Sequence, residues 1–403
     1  MSTSLLYHAF AIRGYDYLKT DYAEGAVTFT IHQRPEDWRC PACGSRQVIG
    51  RGQVERRFRA VPIGRRPVSI VLPVQRVGCL ACGAVRQVDV PFADPRRSYT
   101  RAFERYALEL SRHMTIKAVA DHLGLSWDVI KDIQKRDLQR RFARPRLADL
   151  KQLAIDELHL GKKQGYVTVV LDLASGAIVF VGQGKGAPAL EPFWKRLDRS
   201  GAEIDAVAID MSPAYIRAVE THLPWAAVIF DHFHVIKLCN AKLSQLRRDL
   251  YRQAAAADQE VLKGTRWLLL KNPEALDPAR DEQARLEKAL RLNQPLATAY
   301  YLKEELRQLW NQADKAAATT FLESWLARAK ASGIAVLRSF AKTLRRHEEG
   351  LLAYYDYPLS TGPLEGTNNK VRALQRQAYG FRDLEFFKLK LMALHEAKYA
   401  LVG

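Results

Sequence analysis

The sequence has no apolar run long enough to span a bilayer, and we recognise no signal peptide at its start. It is also short of acidic residues: 44 Asp and Glu stand against 62 Lys and Arg, which leaves a formal net charge of +18 over 403 residues. The first absence argues against a membrane protein. The second predicts a polyanionic partner, most often nucleic acid, with a merely basic globular protein as the alternative.

Cysteine is rare as well, with five in the chain, and four of these form two CxxCG motifs. Without a secretion signal, such pairs favour metal binding over disulfides. Four thiolates suit tetrahedral Zn²⁺, and the glycine after each pair permits a tight knuckle. Strand-like stretches at 54–60 and 67–77 lie between the pairs, as in a zinc ribbon, whereas a redox CxxC would not need a second copy. The predicted ligands of a structural zinc are Cys40, Cys43, Cys79 and Cys82.

A helix-turn-helix pattern follows at residues 118–136. A short apolar helix is followed by Gly124, suited to a left-handed turn, and by Ser126 as N-cap of a second helix predicted over 127–136. The alternative is an ordinary αα-hairpin with a solvated basic face. Given the net charge and the zinc pattern upstream, we favour DNA contact. The candidate DNA-binding residues on or after the second helix are Lys131, Gln134, Lys135, Arg136, Arg140 and Arg141.

From residue 152 the pattern changes to strands. Three stretches joined by short turns predict three antiparallel strands, and two short apolar runs separated by a helical segment predict a βαβ unit. This order is the layout of an RNase H-like fold, in which strand four lies beside strand one. The predicted strands are 153–160, 166–173, 177–182, 204–211 and 226–230.

Carboxylates mark this predicted sheet. Asp156 lies within strand one, while Asp210 and Asp231 end the two later runs. The carboxyl edge of an open α/β sheet is where ligands and metals bind, although Asp210 capping the next helix is the alternative. Alternation along the strand predicts that Glu157 faces away from Asp156.

Residues 235–355 show no strand pattern and predict a helical insertion, in which we expect Trp267, Trp310 and Trp325 to anchor the core rather than to stack on bases. After it, Glu365 falls in the first turn of a predicted helix, where it either complements the helix dipole or supplies a third metal-binding carboxylate. Cations that follow it and are available to DNA include Lys370, Arg372 and Arg376.

Together these features resemble the DDE transposases of bacterial insertion sequences, most closely the ISL-three family. The resemblance rests on the CxxCG pairs, the helix-turn-helix, AIDELHLGKKQGY, VAIDMSPAYIRAV, FDHFHVIK and GPLEGTNNKVRALQRQAYGFRDLEFF, which cover nearly the whole chain in order. It implies a catalytic, metal-binding triad of Asp156, Asp210 and Glu365. Asp231 and His234 match the family's DxFH stretch and are expected near the site without a firm role.

Such a triad implies two Mg²⁺ (or Mn²⁺) ions, because Mg²⁺ prefers hard oxygen ligands and two ions can activate the attacking oxygen and stabilise the leaving one. The resemblance also implies binding of double-stranded DNA at terminal inverted repeats, transfer to target DNA, at least a homodimer on DNA, and a location at the bacterial nucleoid in the cytoplasm. The alternatives are a catalytically inactive DNA-binding relative and an RNase H-like nuclease.

We therefore predict a multidomain α+β protein whose RNase H-like α/β domain is interrupted by an all-helical insertion. The predicted segments are a zinc ribbon at 1–95, a helix-turn-helix at 96–148, the first part of the catalytic domain at 149–235, the insertion at 236–355 and the C-terminal catalytic helices at 356–403.

Overall fold

The computed structural model describes residues 5–161, 165–359, 362–378 and 380–396. The chain divides into two compact units, Met1–Arg141 and Phe142–Gly403, and each contains one five-stranded sheet. This mixed architecture confirms the predicted α+β class. Among the described residues, no helix combines the length and apolarity that a membrane span requires.

The first unit is built on a sheet with a long central hairpin. Its elements are α1 (Leu5–Phe10), β1 (Asp16–Ala23), β2 (Ala26–His32), β3 (Val48–Ile63), β4 (Arg66–Cys79) and β5 (Val85–Gln87). The strand order is β1-β2-β4-β3, with β5 paired to β4. The β3–β4 hairpin is longer than predicted, because pairing continues until Val48 lies opposite Cys79. The hairpin therefore ends at the cysteine motifs.

Three helices complete the first unit: α2 (Arg101–Leu110), α3 (Ile116–Leu123) and α4 (Trp127–Phe142). Gly124 ends α3 with φ of 62°, in the left-handed conformation predicted for it. The Ser126 hydroxyl accepts a hydrogen bond from the Val129 N–H at 3.4 Å, as an N-cap does. Helix α4 extends six residues past its predicted end at Arg136, so the basic run predicted to follow the helix is part of it.

The second unit contains the predicted sheet. Its elements are β6 (Gln152–His159), β7 (Tyr166–Asp172), β8 (Ile178–Gln183), α5 (Glu191–Ser200), β9 (Ala206–Ile209), α6 (Pro213–His222) and β10 (Ala227–Phe230). The order is β10-β9-β6-β7-β8, with β6 antiparallel to β7 and parallel to β9. Strand four therefore lies beside strand one, as the RNase H-like layout requires. All four residues of β9 are buried, which explains its uninterrupted apolar sequence.

Every regular element described after β10 is helical, as predicted for the insertion. These helices are α7 (His232–Gln253), α8 (Ala256–Leu262), α9 (Arg266–Leu270), α10 (Glu282–Leu292), α11 (Gln294–Leu306), α12 (Lys315–Ala331), α13 (Ala335–Arg346) and α14 (Glu348–Leu352). The chain then returns to the sheet through α15 (Gly362–Gln377) and α16 (Leu384–Met392). One apolar core joins the sheet to the insertion, so the insertion is packed on the domain it interrupts.

The three tryptophans of the insertion differ in their surroundings. Trp325 is fully buried and its indole N–H donates to the Leu302 carbonyl at 2.8 Å. Trp310 is half-buried against the same core. Trp267, in contrast, has 63% of its surface exposed. The expectation that all three anchor the core is therefore wrong for Trp267.

Gly182 in β8 tests how tightly this sheet is packed. A Cβ atom there would lie 2.2 Å from the carbonyl oxygen of Ala189, which belongs to the backbone and cannot rotate away. Gly182→Ala should therefore lower the free energy of unfolding by about 1–3 kcal/mol. The control is Gly366→Ala in α15, where nothing lies within 4 Å and alanine should add up to about 1 kcal/mol. Equal denaturant stability of the two variants would contradict this packing.

Candidate functional site

The candidate site lies at the carboxyl edge of the second sheet, where three neighbouring strands carry aspartates. Asp156 lies in β6, Asp210 directly follows β9, and Asp231 directly follows β10. Ala154 pairs with Ala208, and continuing this register by two residues sets Asp156 beside Asp210. The β9–β10 register sets Asp231 on the other side of Asp210. Residues side by side on parallel strands share a face, so the sheet brings these three together.

Asp210 occupies the electrostatically unfavourable centre of this row. Burial raises the pKa of its carboxyl above the ordinary value, and the nearby charges of Asp156 and Glu157 raise it further. The Ser212 backbone N–H, which donates to Asp210 Oδ1 at 3.0 Å, and the His234 ring oppose that rise. Asp210 thus accepts a bond from Ser212, which is itself the N-cap of α6, so the alternative in which Asp210 caps this helix is wrong. A cation at this edge would relieve the repulsion.

Asn368 reaches the same edge from α15. Its side-chain amide donates to Asp156 Oδ2 at 3.0 Å, while the Glu157 backbone N–H donates to Asp156 Oδ1 at 2.8 Å. The opposite amide orientation would set two acceptor oxygens against each other, so the carboxylate selects the donating one. Asn368 was not identified from the sequence. The available signal was its position one helical turn after Glu365, on the side of α15 that carries the buried Leu364 and Val371.

Glu365 is exposed in the first turn of α15. Among the described residues, only the four cysteines of the CxxC motifs bring three or more His, Cys, Asp or Glu ligand atoms within 4.8 Å of one another. The structure therefore sets Glu365 one turn from the Asn368–Asp156 contact but does not draw it into a tight cluster with the two aspartates.

Asp231 and His234 form a polar pair at the start of α7. Asp231 is 2% exposed, and one of its carboxylate oxygens lies 3.2 Å from His234 Nδ1. The nearby Asp231 carboxylate raises the pKa of the His234 ring, burial lowers it, and the charges of Asp156 and Asp210 also raise it. His234 is thus close enough to Asp156 and Asp210 for their charges to shift its pKa. The DxFH stretch therefore lies at the acidic edge of the sheet.

Glu157 belongs to a different network, on the side predicted by strand alternation. Its carboxylate accepts bonds from the Tyr215 hydroxyl at 2.7 Å and from the Gly186 N–H at 3.1 Å. Tyr215 is buried and also contacts the Thr168 hydroxyl at 3.0 Å. These contacts connect β6 to α6 and to the loop after β8. They fix the position of β6, and with it that of the neighbouring Asp156.

The candidate DNA-binding residues of α4 differ in accessibility. Gln134 is buried, so its expected position facing a groove is wrong. Arg136 lies against Glu104 at 3.1 Å and also donates to the Tyr99 hydroxyl, inside its own unit. Of the other four residues, two are half-buried and two are exposed. Lys131 lies 5.5 Å from the Trp127 ring centroid, Lys135 is half-buried, and the exposed Arg140 and Arg141 lie near Asp137.

The cations of α15 face solvent. Lys370 is exposed and its Nζ lies 3.3 Å from His395 Nδ1, and Arg372 and Arg376 are exposed further along the helix. They follow Glu365 on the same helix, so a DNA strand that reached the glutamate would pass close to positive charge.

The four cysteines of the first unit form a compact cluster. Sγ atoms lie 3.7 Å apart for Cys40 and Cys82, and 3.6 Å apart for Cys43 and Cys79. A tetrahedral zinc with Zn–S bonds of about 2.3 Å places its sulfurs about 3.8 Å apart. Backbone N–H groups, chiefly that of Cys82, lower the pKa of the Cys79 thiol to about 6. The donor set therefore fits a structural zinc ion.

Glycines shape the two knuckles as predicted. Gly44 and Gly83 have φ of 72° and 71°, and their N–H groups donate to the Cys40 and Cys79 carbonyls at 2.8 and 3.0 Å. The left-handed conformation is energetically accessible to glycine and lets the chain turn back at each knuckle, around its two cysteines.

Three stretches of the chain match protein families, in the order expected from the sequence. Residues 36–82 match the zinc-finger of transposase IS204/IS1001/IS1096/IS1165. Residues 88–137 match the helix-turn-helix domain of transposase family ISL3, and residues 153–391 match the transposase domain of that family.

Full-length relatives agree with these matches. The chain is 32% identical over 388 residues to the transposase for insertion sequence element IS1001 of Bordetella parapertussis, across 94% of this chain and 95% of that protein. It is 29% identical over 372 residues to the transposase for IS1557 of Mycobacterium tuberculosis, across 85% and 82%. The Drosophila P element transposase strand transfer complex aligns with 75% of this chain and 92% of its own at 13% identity and a TM-score of 0.39, too low to establish a shared fold.

Proposed function

The chain belongs to the ISL3 family of transposases, and from this premise we propose that it cuts and joins DNA at the ends of an insertion sequence through Asp156, Asp210 and Glu365. The observation that carries the proposal is the β6–β9 register, which when continued two residues past Ala154–Ala208 sets Asp156 beside Asp210, together with the bond from Asn368 of α15 to Asp156. In this arrangement two carboxylates lie at one edge of the sheet. Helix α15, which carries Glu365 and follows the insertion, contacts the same edge.

The residues of this edge fit a hard divalent cation. Asp156 and Asp210 offer only oxygen donors. Burial first, and then the charges of Asp156 and Glu157, raise the pKa of Asp210, and a cation at this edge would stabilise its ionised form. Mg²⁺ keeps several of its waters and needs only one or two carboxylates, so the two aspartates suffice even though Glu365 stands outside a tight cluster. Bound Mg²⁺ would supply Lewis-acid activation of the attacking oxygen and stabilisation of the leaving one.

The chain's own groups orient the carboxylates. Asn368 and the Glu157 N–H fix both oxygens of Asp156, and the Ser212 N–H fixes Oδ1 of Asp210. Asp231 holds His234 beside them. Pre-oriented ligands lower the reorganisation needed when a phosphodiester enters the site.

We further propose that the first unit and α15 hold the DNA. Accessible cations on α4 and on α15 suit the phosphates of the terminal inverted repeats and of target DNA, consistent with the net charge of +18. Because two ends must be brought together, a homodimer or larger assembly on DNA is part of the proposal, as is a location at the bacterial nucleoid.

The test uses a labelled duplex that carries the ends of the flanking element, with a scrambled duplex as control. Cutting at the element boundary in Mg²⁺ and not in EDTA, followed by joining of the freed 3′ end to a second duplex, is the expected result. Binding without cutting would favour an inactive DNA-binding relative. Cutting without joining would favour a nuclease.

Asn368 gives a sharper test as a positioning residue. Asn368→Ala should lower the cleavage rate about 10- to 100-fold, the usual cost of losing a group that orients a metal ligand, and should raise the Mg²⁺ concentration needed for half-maximal cutting. Asn369→Ala is the matched control, because Asn369 is the adjacent, exposed asparagine of α15. Equal rates and equal Mg²⁺ dependence in the two variants would remove Asn368 from the site.

A further inference from the structure

Trp267 in α9 is exposed over 63% of its surface, and the Arg266 guanidinium lies over its ring, 4.7 Å from the centroid. A cation over an indole is favourable, yet the pair leaves much of the indole facing water. The neighbouring Leu268 and Leu269 are buried in the core, so α9 itself is firmly packed while its tryptophan is not.

Further arginines lie near Arg266 and the start of α9. The charges of Arg248 and Arg266, added to burial, lower the pKa of the Arg247 guanidinium, which places all three close together. Arg285 Nη2 lies 3.4 Å from the point where a Cβ on Gly264 would sit, just before α9. The Trp267 cluster is therefore Trp267, Arg247, Arg248, Arg266 and Arg285.

The positive charge of the Trp267 cluster is uncompensated. Within the described part of the chain, none of its four arginines forms an ion pair with an acidic side chain. Three acids on α7, α8 and α10 are paired with other cations: Asp249 with Arg252, Glu260 with Lys263 and Glu282 with Lys271. Arg247 donates from Nη1 to the Leu262 carbonyl at 3.1 Å, but its buried Nε has no acceptor. An anionic ligand would reduce the repulsion between the arginines and could accept a hydrogen bond from Arg247 Nε.

We propose that the Trp267 cluster binds a single-stranded DNA segment, with phosphates against the arginines and an unpaired base stacked on Trp267. An exposed aromatic ring flanked by cations is the arrangement by which proteins hold single strands with little regard to sequence. A base can stack on an indole only when its own neighbour has moved away, so the ligand is an unpaired strand rather than a duplex.

The position of the cluster suits DNA engaged at the acidic edge. Helix α7 starts directly after Asp231 and spans His232–Gln253. Arg247 follows Asp231 by 16 positions, about 24 Å along a helix rising about 1.5 Å per residue. That is on the order of seven base steps of 3.4 Å. The inference rests on the proposed function for the identity of the polyanion as DNA, but it concerns a surface separate from the acidic edge.

The experiment measures binding of a labelled oligothymidine of about 12 nucleotides to the full chain, in EDTA, by fluorescence anisotropy. Trp267→Ala should raise Kd about 5- to 100-fold, the range that one lost stacking contact gives, and Trp267→Tyr should recover most of it. Arg266→Ala should weaken binding and flatten its salt dependence. The matched control is Trp225→Ala, because Trp225 is equally exposed, at 66%, and lies at the amino end of β10.

Equal affinity of the Trp267→Ala and Trp225→Ala variants would overturn the inference. So would an abasic strand that binds the wild type as tightly as oligothymidine, because stacking needs a base. Binding and cutting of the element ends are measured in a separate assay on duplex DNA. Normal cutting of the duplex with no strand binding at Trp267 would contradict this inference alone. Strand binding without any cutting would contradict the proposed function and still support binding at the Trp267 cluster.

Discussion

Replacing Asp210 with asparagine is expected to lower the rate of DNA cleavage at least about 10³-fold, the upper range for loss of one electrostatic group in an active site. The change removes the charge and keeps the shape, and the Ser212 N–H can still donate to the amide oxygen. Binding of the element ends should be unchanged, since the candidate DNA contacts lie elsewhere. The measurement is cleavage of an end-labelled duplex in Mg²⁺ beside anisotropy on the same duplex.

Stability separates this catalytic loss from unfolding. A folded-state pKa raised by burial means that the ionised Asp210 destabilises the fold at neutral pH. Asparagine removes that penalty, so the variant should be at least as stable as the wild type. Asp205→Asn is the matched control, because Asp205 is exposed immediately before the amino end of the same strand, β9. Cleavage by Asp210→Asn within about tenfold of the control would place the reaction elsewhere.

Removing the zinc ion is expected to unfold the first unit and to abolish tight binding of the element ends while the second unit stays folded. Apparent zinc-binding free energies of about 10–16 kcal/mol match or exceed the whole stability of a typical domain. The cysteine motifs terminate the β3–β4 hairpin, so their release frees both of its long strands. The two units have separate sheets and cores, which lets one survive the loss of the other.

The variant for this test carries Cys40→Ser and Cys79→Ser, and its readouts are zinc content, limited proteolysis and duplex anisotropy. Cys239→Ala is the control for cysteine loss as such. Cys239 is buried in α7 of the second unit and is not one of the four clustered cysteines. End binding by the double variant equal to that of the control would show that the ribbon plays no part in holding DNA.

Local patterns predicted much of the fold because each has a local physical cause. Left-handed turns need glycine, which located Gly124 and the two knuckle glycines. Errors arose where a local pattern was compatible with two environments. Helix propensity does not reveal which face packs, so Gln134 was expected to face a groove and is buried. The indole of Trp267 suits a core equally well and is exposed.

The sequence by itself determined the family, the order of its zinc-finger, helix-turn-helix and transposase segments, and the sheet layout, because cysteine spacing and apolar runs bounded by acids depend on residues near one another in the chain. Only the tertiary structure decided which distant groups meet. The Asn368 bond to Asp156 spans 212 positions, and the four arginines of the Trp267 cluster come from three helices, α7, α9 and α10. Such contacts follow from how the insertion packs on the sheet, which no periodicity along the chain encodes.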